Sequence, residues 1–304
     1  MLLRVTHETR YDYRPAVKTA QHMAHLKPRE MACQTLVSHS LSIAPQPAQH
    51  SELTDVYGNT RAFFSLPGAH NMLTVVADSV VQTSPLLPPA NVSITWEQAR
   101  ECLRYRRGAA YDRASQFCFA SPYIPRHDDF VAYALPSFTP ERPLLEAAQD
   151  LMSRIYREFA YESHATEVST PALESLALRS GVCQDFAHVL VACLRSLGLP
   201  ARYVSGYLLT QPPPGQPRLV GSDASHAWGS VYVPSPQHNE PGQSAGTWYD
   251  LDPTNDRAPG EDYVTLAIGR DYSDVSPLRG VIHGGASHRL RVAVTVAPVD
   301  DNRA

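Results

Sequence analysis

The sequence predicts an α+β fold, with an antiparallel β domain at the N-terminus and then a helix packed on a second antiparallel sheet. Three observations predict it. Period-two alternation recurs through the first 85 residues. One helix, opening at Cys183, carries the most regular 3.6-residue apolar stripe in the chain. Several strand-like segments follow it with no further long helix.

The elements follow in order. Leu2 to His7 reads as a strand that gives way to a turn at Tyr11-Asp12-Tyr13. Leu36 to Ile43 alternates and stops at Pro45 and Pro47. Val56-Tyr57-Gly58-Asn59-Thr60 supplies a hairpin turn into the strand Arg61 to Leu66, and Met72 to Val81 is a further strand. The proline-rich run Ser84 to Pro89 marks a boundary. Beyond it, Thr95 or Ser93 would cap a short helix from Glu97 to Tyr105, and Pro122 to Pro143 reads as mostly connector. From Pro143 the pattern is helical, with Leu144, Ala147, Ala148, Leu151, Met152 and Ile155 on one face. A short helix over Pro171 to Leu178 takes Thr170 as its N-cap, with Glu174 reaching back. In the helix opened by Cys183, the stripe is Phe186, Val189, Leu190, Cys193, Leu194 and Leu197; Gly198 and Pro200 end it. Strands are expected at Ala201 to Leu209, Ala227 to Val233, Thr247 to Leu251 and Arg289 to Val296. The chain divides into a β-rich domain (1–85), a connector with short helices (86–142), a core (143–276) and a C-terminal strand segment (277–304).

With 304 residues, 43% of them hydrophobic and 18% charged, the chain can bury a substantial core. A net charge of −4 gives no reason to expect nucleic-acid or anionic-membrane binding. Arg104, Arg106 and Arg107 read as a solvated face. No apolar run reaches the roughly 20 residues of a spanning helix, and the N-terminus has no leader pattern, so a cytoplasmic setting is expected. The five cysteines (Cys33, Cys102, Cys118, Cys183, Cys193) form no CxxC pair, which argues against a disulfide framework or structural zinc. His22 and His25 have helical metal spacing but no third ligand, so neither metal nor cofactor is expected.

Three residues carry candidate chemistry. A thiol at a helix N-terminus, such as Cys183, feels the positive end of the backbone dipole, which favours the thiolate. His226 opens one strand and Asp252 ends the next. Adjacent strands lie about 4.8 Å apart, so the two side chains can meet. A thiol, an imidazole and a carboxylate are a nucleophile, its base and the base's orienter. Each also has a structural reading. A lone helical cysteine is usually a small buried hydrophobe, the reading given to the other four cysteines. Asp185 would serve the helix dipole, and Asp252-Pro253 would be a turn.

The motifs Gly181-Val182-Cys183-Gln184-Asp185-Phe186-Ala187-His188, Gly198 to Tyr207, Ser225-His226-Ala227-Trp228 and Trp248 to Asn255 are similar to the core of the transglutaminase-like superfamily. The spacings, 43 residues from Cys183 to His226 and 26 on to Asp252, fit as well. Arg4 to Tyr13 resembles the β-rich N-terminal domain of the bacterial branch. The resemblance implies a papain-like core, with Cys183 as nucleophile, His226 as base and Asp252 as orienter. Gln184, Asp185, Trp228 and Asn255 are its candidate oxyanion or supporting residues. Animal members cross-link glutamine to lysine, while microbial relatives are held to be proteases or amidases. The cross-linking enzymes place an oxyanion-stabilising tryptophan upstream of the cysteine; here the nearest is Trp96, 87 residues away, which leaves Gln184 or another donor for that role. The implied activity is a cysteine-dependent amide, peptide or isopeptide hydrolase working through a thioester. Glutamine acyl transfer is the alternative, and a silent peptide-binding scaffold a second one. A peptide or protein substrate is implied, as is an ATP-grasp-type ligase partner.

Overall fold

The first strand, β1 (Leu2–Ala24), runs unbroken for 23 residues in the computed structural model, which describes residues 1–85, 94–104, 107, 112–163, 166, 168–209, 225–235, 246–285 and 287–299. Leu3, Val5, His7 and Thr9 alternate onto its buried face, as a period of two requires. The Tyr11-Asp12-Tyr13 segment lies inside this strand and is not the turn that its sequence suggests. The strand continues through Pro15, and only its register against the strand at 70–83 slips, between Asp12 and Val17, the way a strand absorbs a residue that cannot join the ladder.

β2 (Gln34–Ala44), β3 (Gln49–Thr54), β4 (Thr60–Leu66) and β5 (His70–Thr83) join β1 in an antiparallel sheet of order β2-β5-β1-β4-β3. The expected hairpin turn connects β3 to β4, with the Asp55 carboxylate accepting from the N–H groups of Tyr57 and Asn59. β3 itself escapes sequence reading because it is exposed on both faces and so shows no alternation. His22 lies on β1 and His25 just past its end, so the helical spacing that would pair the two rings does not arise. His22 stacks on Phe64, whereas His25 is held by Ser276 O and Arg61.

The middle of the chain is more helical than its sequence predicts. α1 (Trp96–Cys102) starts from a Thr95 capping box completed by Gln98. A 3-10 turn follows at Arg113–Cys118. The expected connector 122–143 contains α2 (Asp128–Ala134), capped by His127. Its seven residues are too short for periodicity to stand out, although Phe130, Tyr133 and Ala134 do share a buried face. α3 (Leu144–Glu158) buries all six residues of its predicted stripe. The two-residue strands β6 (Ala160–Tyr161) and β7 (Ser180–Gly181) flank α4 (Ala172–Leu178), whose N-cap is Pro171 in place of Thr170.

α5 (Cys183–Ser196) sits at the centre of the larger core. Its sequence shows one apolar stripe, yet every residue from Gln184 to Arg195 is buried. β8 (Ala201–Leu208) and β9 (Ser225–Val233) cover one side, and α2, α3 and α4 cover the other. Each large apolar side chain sealed there, such as Leu190 or Leu194, contributes about 1.5–3 kcal/mol. The buried Arg195 guanidinium is satisfied by the carbonyls of Phe119, Ala201 and Arg270 and by Ser121 Oγ, so its N–H donors are not left without acceptors.

The core sheet has the order β10-β9-β8-β11, with β10 (Thr247–Leu251) and β11 (Tyr263–Gly269) at its edges. β11 is buried on both faces and therefore lacks alternation. After α6 (Tyr272–Val275), β12 (Leu278–Gly284) and β13 (Ser287–Pro298) return to pair with β1. Leu3, Val5, Val81, Val294 and Val296 of the first sheet pack with Tyr207, Val264 and Leu266 of the second. Among the described residues no helix is long and apolar enough to cross a membrane. Most of the 84–89 boundary, Arg106, the 211–217 loop and most of the 234–246 loop lie outside the described residues.

Candidate active site

Cys183 is the first residue of α5, half-buried, in contact with a cluster that includes Ala187, Tyr203 and Ala227. The entry to the helix is built by Asp185, at its third position. One carboxylate oxygen accepts from Val182 N at 2.9 Å and Thr166 Oγ1 at 2.6 Å, and the other from Ser175 Oγ at 3.2 Å. Gly181 has φ +155°, and a Cβ there would stand 2.5 Å from the same carboxylate. Glycine at this position therefore lets the chain turn into α5 beneath Asp185. Gln184, expected as an oxyanion donor, gives its amide to Val168 O at 3.0 Å.

His226 lies at the start of β9, an interior strand, and is 7% exposed. Its partner across β8 is Gly206, where a Cβ would meet Val264 O at 2.3 Å and the Trp228 ring at 2.5 Å. Only a residue without a side chain allows the three strands to close here. Trp228, two residues along β9, is fully buried and donates its indole N–H to Asp250 at 3.1 Å.

Asp252 follows β10 and is fully buried. Its Oδ1 accepts from the N–H groups of Thr254 (2.8 Å) and Asn255 (3.3 Å), an Asx-type turn. Its Oδ2 accepts from His226 Nε2 at 2.6 Å, Asn255 Nδ2 at 2.7 Å and the Tyr263 hydroxyl at 2.7 Å. The Cys183 thiol acts on the same imidazole, raising its pKa together with Asp252. Thus Cys183, His226, Asp252 and Asn255 come together, while Gln184 and Asp185 fix the surrounding backbone and Trp228 holds the Asp250 side chain.

The electrostatics follow from this packing. Burial alone would lower the pKa of His226, but its hydrogen bonds and charge interactions with Asp252 and Cys183 outweigh that and raise it to about 10. Burial would raise Asp252, yet its donors, His226 first among them, hold it below the usual carboxylate range. An imidazolium between a sulfur and a carboxylate is the favoured state. Tyr263 is the site residue that motif reading missed. The apolar run Tyr263 to Ile268 was a usable strand signal, but nothing in it pointed to Asp252.

A transglutaminase-like superfamily profile matches residues 132–253, and the bacterial transglutaminase-like N-terminal region matches residues 3–82. An uncharacterised protein of Mycobacterium tuberculosis is 42% identical, over 98% of this chain and 93% of its own. A protein-glutamine gamma-glutamyltransferase of Pseudomonas aeruginosa is 31% identical over 119 residues, 36% of this chain and 16% of its own. Among solved structures, a Cytophaga hutchinsonii protein provisionally named a cysteine protease superposes with a TM-score of 0.71 at 20% identity. That match covers 100% of this chain and 92% of the other, and at such identity it speaks to the fold alone. The chain belongs to the transglutaminase-like superfamily and carries that superfamily's bacterial N-terminal region.

Proposed function

We propose that this chain is a cysteine-dependent amide hydrolase acting on peptides or isopeptides, with Cys183 as nucleophile, His226 as base and acid, and Asp252 as orienter. The observation that carries this reading is one buried imidazole held by Asp252 at 2.6 Å, with the Cys183 thiol among the groups that raise its pKa. The Cys183 sulfur attacks the carbonyl carbon and the carbonyl π-electrons move to oxygen. Collapse of that intermediate breaks the C–N bond while His226 gives its proton to the departing amine, leaving a thioester. Water, deprotonated by His226, then attacks the thioester; collapse breaks the C–S bond, expels the Cys183 thiolate and releases the acid, and the proton left on His226 restores the resting site. The N–H of Cys183, at the unsatisfied start of α5, is the oxyanion donor in this scheme; the Gln184 amide and Trp228 indole are already engaged.

Acyl transfer to an amine is the second reading, favoured by the similarity to the Pseudomonas glutamyltransferase. Incubating the protein with a glutamine peptide and a fluorescent amine separates the two. Hydrolysis releases ammonia without labelling the peptide; incorporation of the amine would replace the first reading by the second. Cys183→Ala should abolish either activity, and retained activity would sink both. Iodoacetamide at neutral pH should modify Cys183 far faster than the other four cysteines. Burial pushes up the thiols of Cys33, Cys118 (to about 11) and Cys193, and Cys102 is the exposed last residue of α1, not the first residue of a helix as Cys183 is.

A further inference from the structure

β11 is an edge strand of the core sheet, and an edge carries N–H and C=O groups that need partners. Two buried carboxamides from the N-terminal half supply them. Gln34, 3% exposed, donates from Nε2 to Thr265 O at 2.8 Å and accepts from Thr265 N at 2.7 Å. Asn59, fully buried, donates to Ile268 O at 2.7 Å and accepts from Ile268 N at 2.8 Å. Each side-chain amide thus makes the pair of bonds that a neighbouring strand would make. Both are themselves fixed: Gln34 Nε2 also donates to Arg29 O at 2.8 Å, and Asn59 is held by Asp55 and Arg29.

Two residues before Thr265 on the same strand is Tyr263, 4% exposed. The Trp228 indole meets its ring edge-on at 5.4 Å between centroids, and the Arg257 guanidinium lies 4.7 Å over its face. Its hydroxyl donates to the Asp252 oxygen that also faces His226. Burial and the Asp252 charge push its own ionisation far upward, so the phenol keeps its proton where an ordinary tyrosine begins to lose it. Without it, Asn255 Nδ2 is the one donor besides His226 left on that oxygen, and the carboxylate is held less firmly against the imidazole.

We infer that Tyr263 is a positioning residue that keeps the Asp252 carboxylate aimed at His226, and that the N-terminal sheet sets its place by clamping β11 through Gln34. This rests on the catalytic reading of Cys183, His226 and Asp252. It assigns the N-terminal sheet a direct part in building the site.

The test uses the full chain with ¹⁵N-labelled histidine. The midpoint at which His226 loses its proton, expected at about 10 in the native protein, is followed by NMR. Tyr263→Phe should lower that midpoint by about one pH unit. On the glutamine peptide it should cut kcat by about tenfold or more with KM unchanged. Gln34→Met should move both in the same direction by less. A Tyr263→Phe protein that folds but keeps the native midpoint, or raises it, overturns the role of Tyr263. An unmoved midpoint in folded Gln34→Met overturns the role of the sheet. If either variant fails to fold, Tyr263→Met or Gln34→Asn is measured in its place with the same two outcomes. A lowered midpoint together with activity that survives Cys183→Ala would instead overturn the catalytic reading and leave the positioning intact.

Discussion

His7 offers the sharpest test of the electrostatic reasoning. It lies on β1, 2% exposed, with Nδ1 at 3.0 Å from the Tyr207 hydroxyl and Nε2 at 3.1 Å from Thr9 Oγ1. Burial lowers its pKa from 6.5 to about 4. A base whose folded pKa is depressed is protonated first in the unfolded chain, so stability falls as pH drops from 6.5 towards 4. At pH 5 the unfolded imidazole is almost wholly charged and the folded one almost wholly neutral, a difference of about 2 kcal/mol. Urea unfolding at pH 7.5 and pH 5, on the native protein and on His7→Gln, isolates this contribution. His22 and His188, also lowered to about 4, and His226, which titrates with the opposite sign, are present in both proteins. The native protein should lose about 2 kcal/mol more than His7→Gln across that interval. Equal losses in the two proteins would refute the claim that this imidazole is buried neutral.

Two further substitutions probe the scaffold around the site. Gly206→Ala drives a methyl against Val264 O and the Trp228 ring, and should cost about 1–3 kcal/mol, read as a drop in Tm of several degrees; an unchanged Tm would mean the three strands close less tightly than described. Asp185→Ala removes the acceptor of Val182 N, Thr166 Oγ1 and Ser175 Oγ. It should cost about 1–3 kcal/mol and slow alkylation of Cys183 by iodoacetamide as the start of α5 loosens, whereas native alkylation kinetics would show that Asp185 does not hold the nucleophile.

Legibility in the sequence tracked how local the physics was. α3 and the body of α5 could be read because a helix repeats its signal every turn. The order Cys183, His226, Asp252 could be read because residue types at the ends of elements imply chemistry. What escaped depended on burial decided elsewhere in the chain. β11 has no alternation because helices and the N-terminal sheet cover both of its faces, and β3 has none because nothing covers either. α2 was hidden by its seven-residue length. The Tyr11 to Tyr13 segment reads as a turn, whereas the strand runs through it and the register slips just beyond it, between Asp12 and Val17. Tyr263, Gln34 and Asn59 could not be assigned to the site, since their roles depend on contacts 11, 231 and 209 residues away.

The pairing of β1 with β13 also bears on how the protein is made. One edge of the first half of β1 finds β5 soon after it is synthesised, but the other waits for residues 287–298. At the usual translation rate that interval is roughly 15–50 s. Throughout it the longest strand of the molecule presents an open edge to the ribosome surface and to other nascent chains. Holdase chaperones that shield unpaired strands should therefore engage this protein before the chain is complete and release it when β13 closes the ladder.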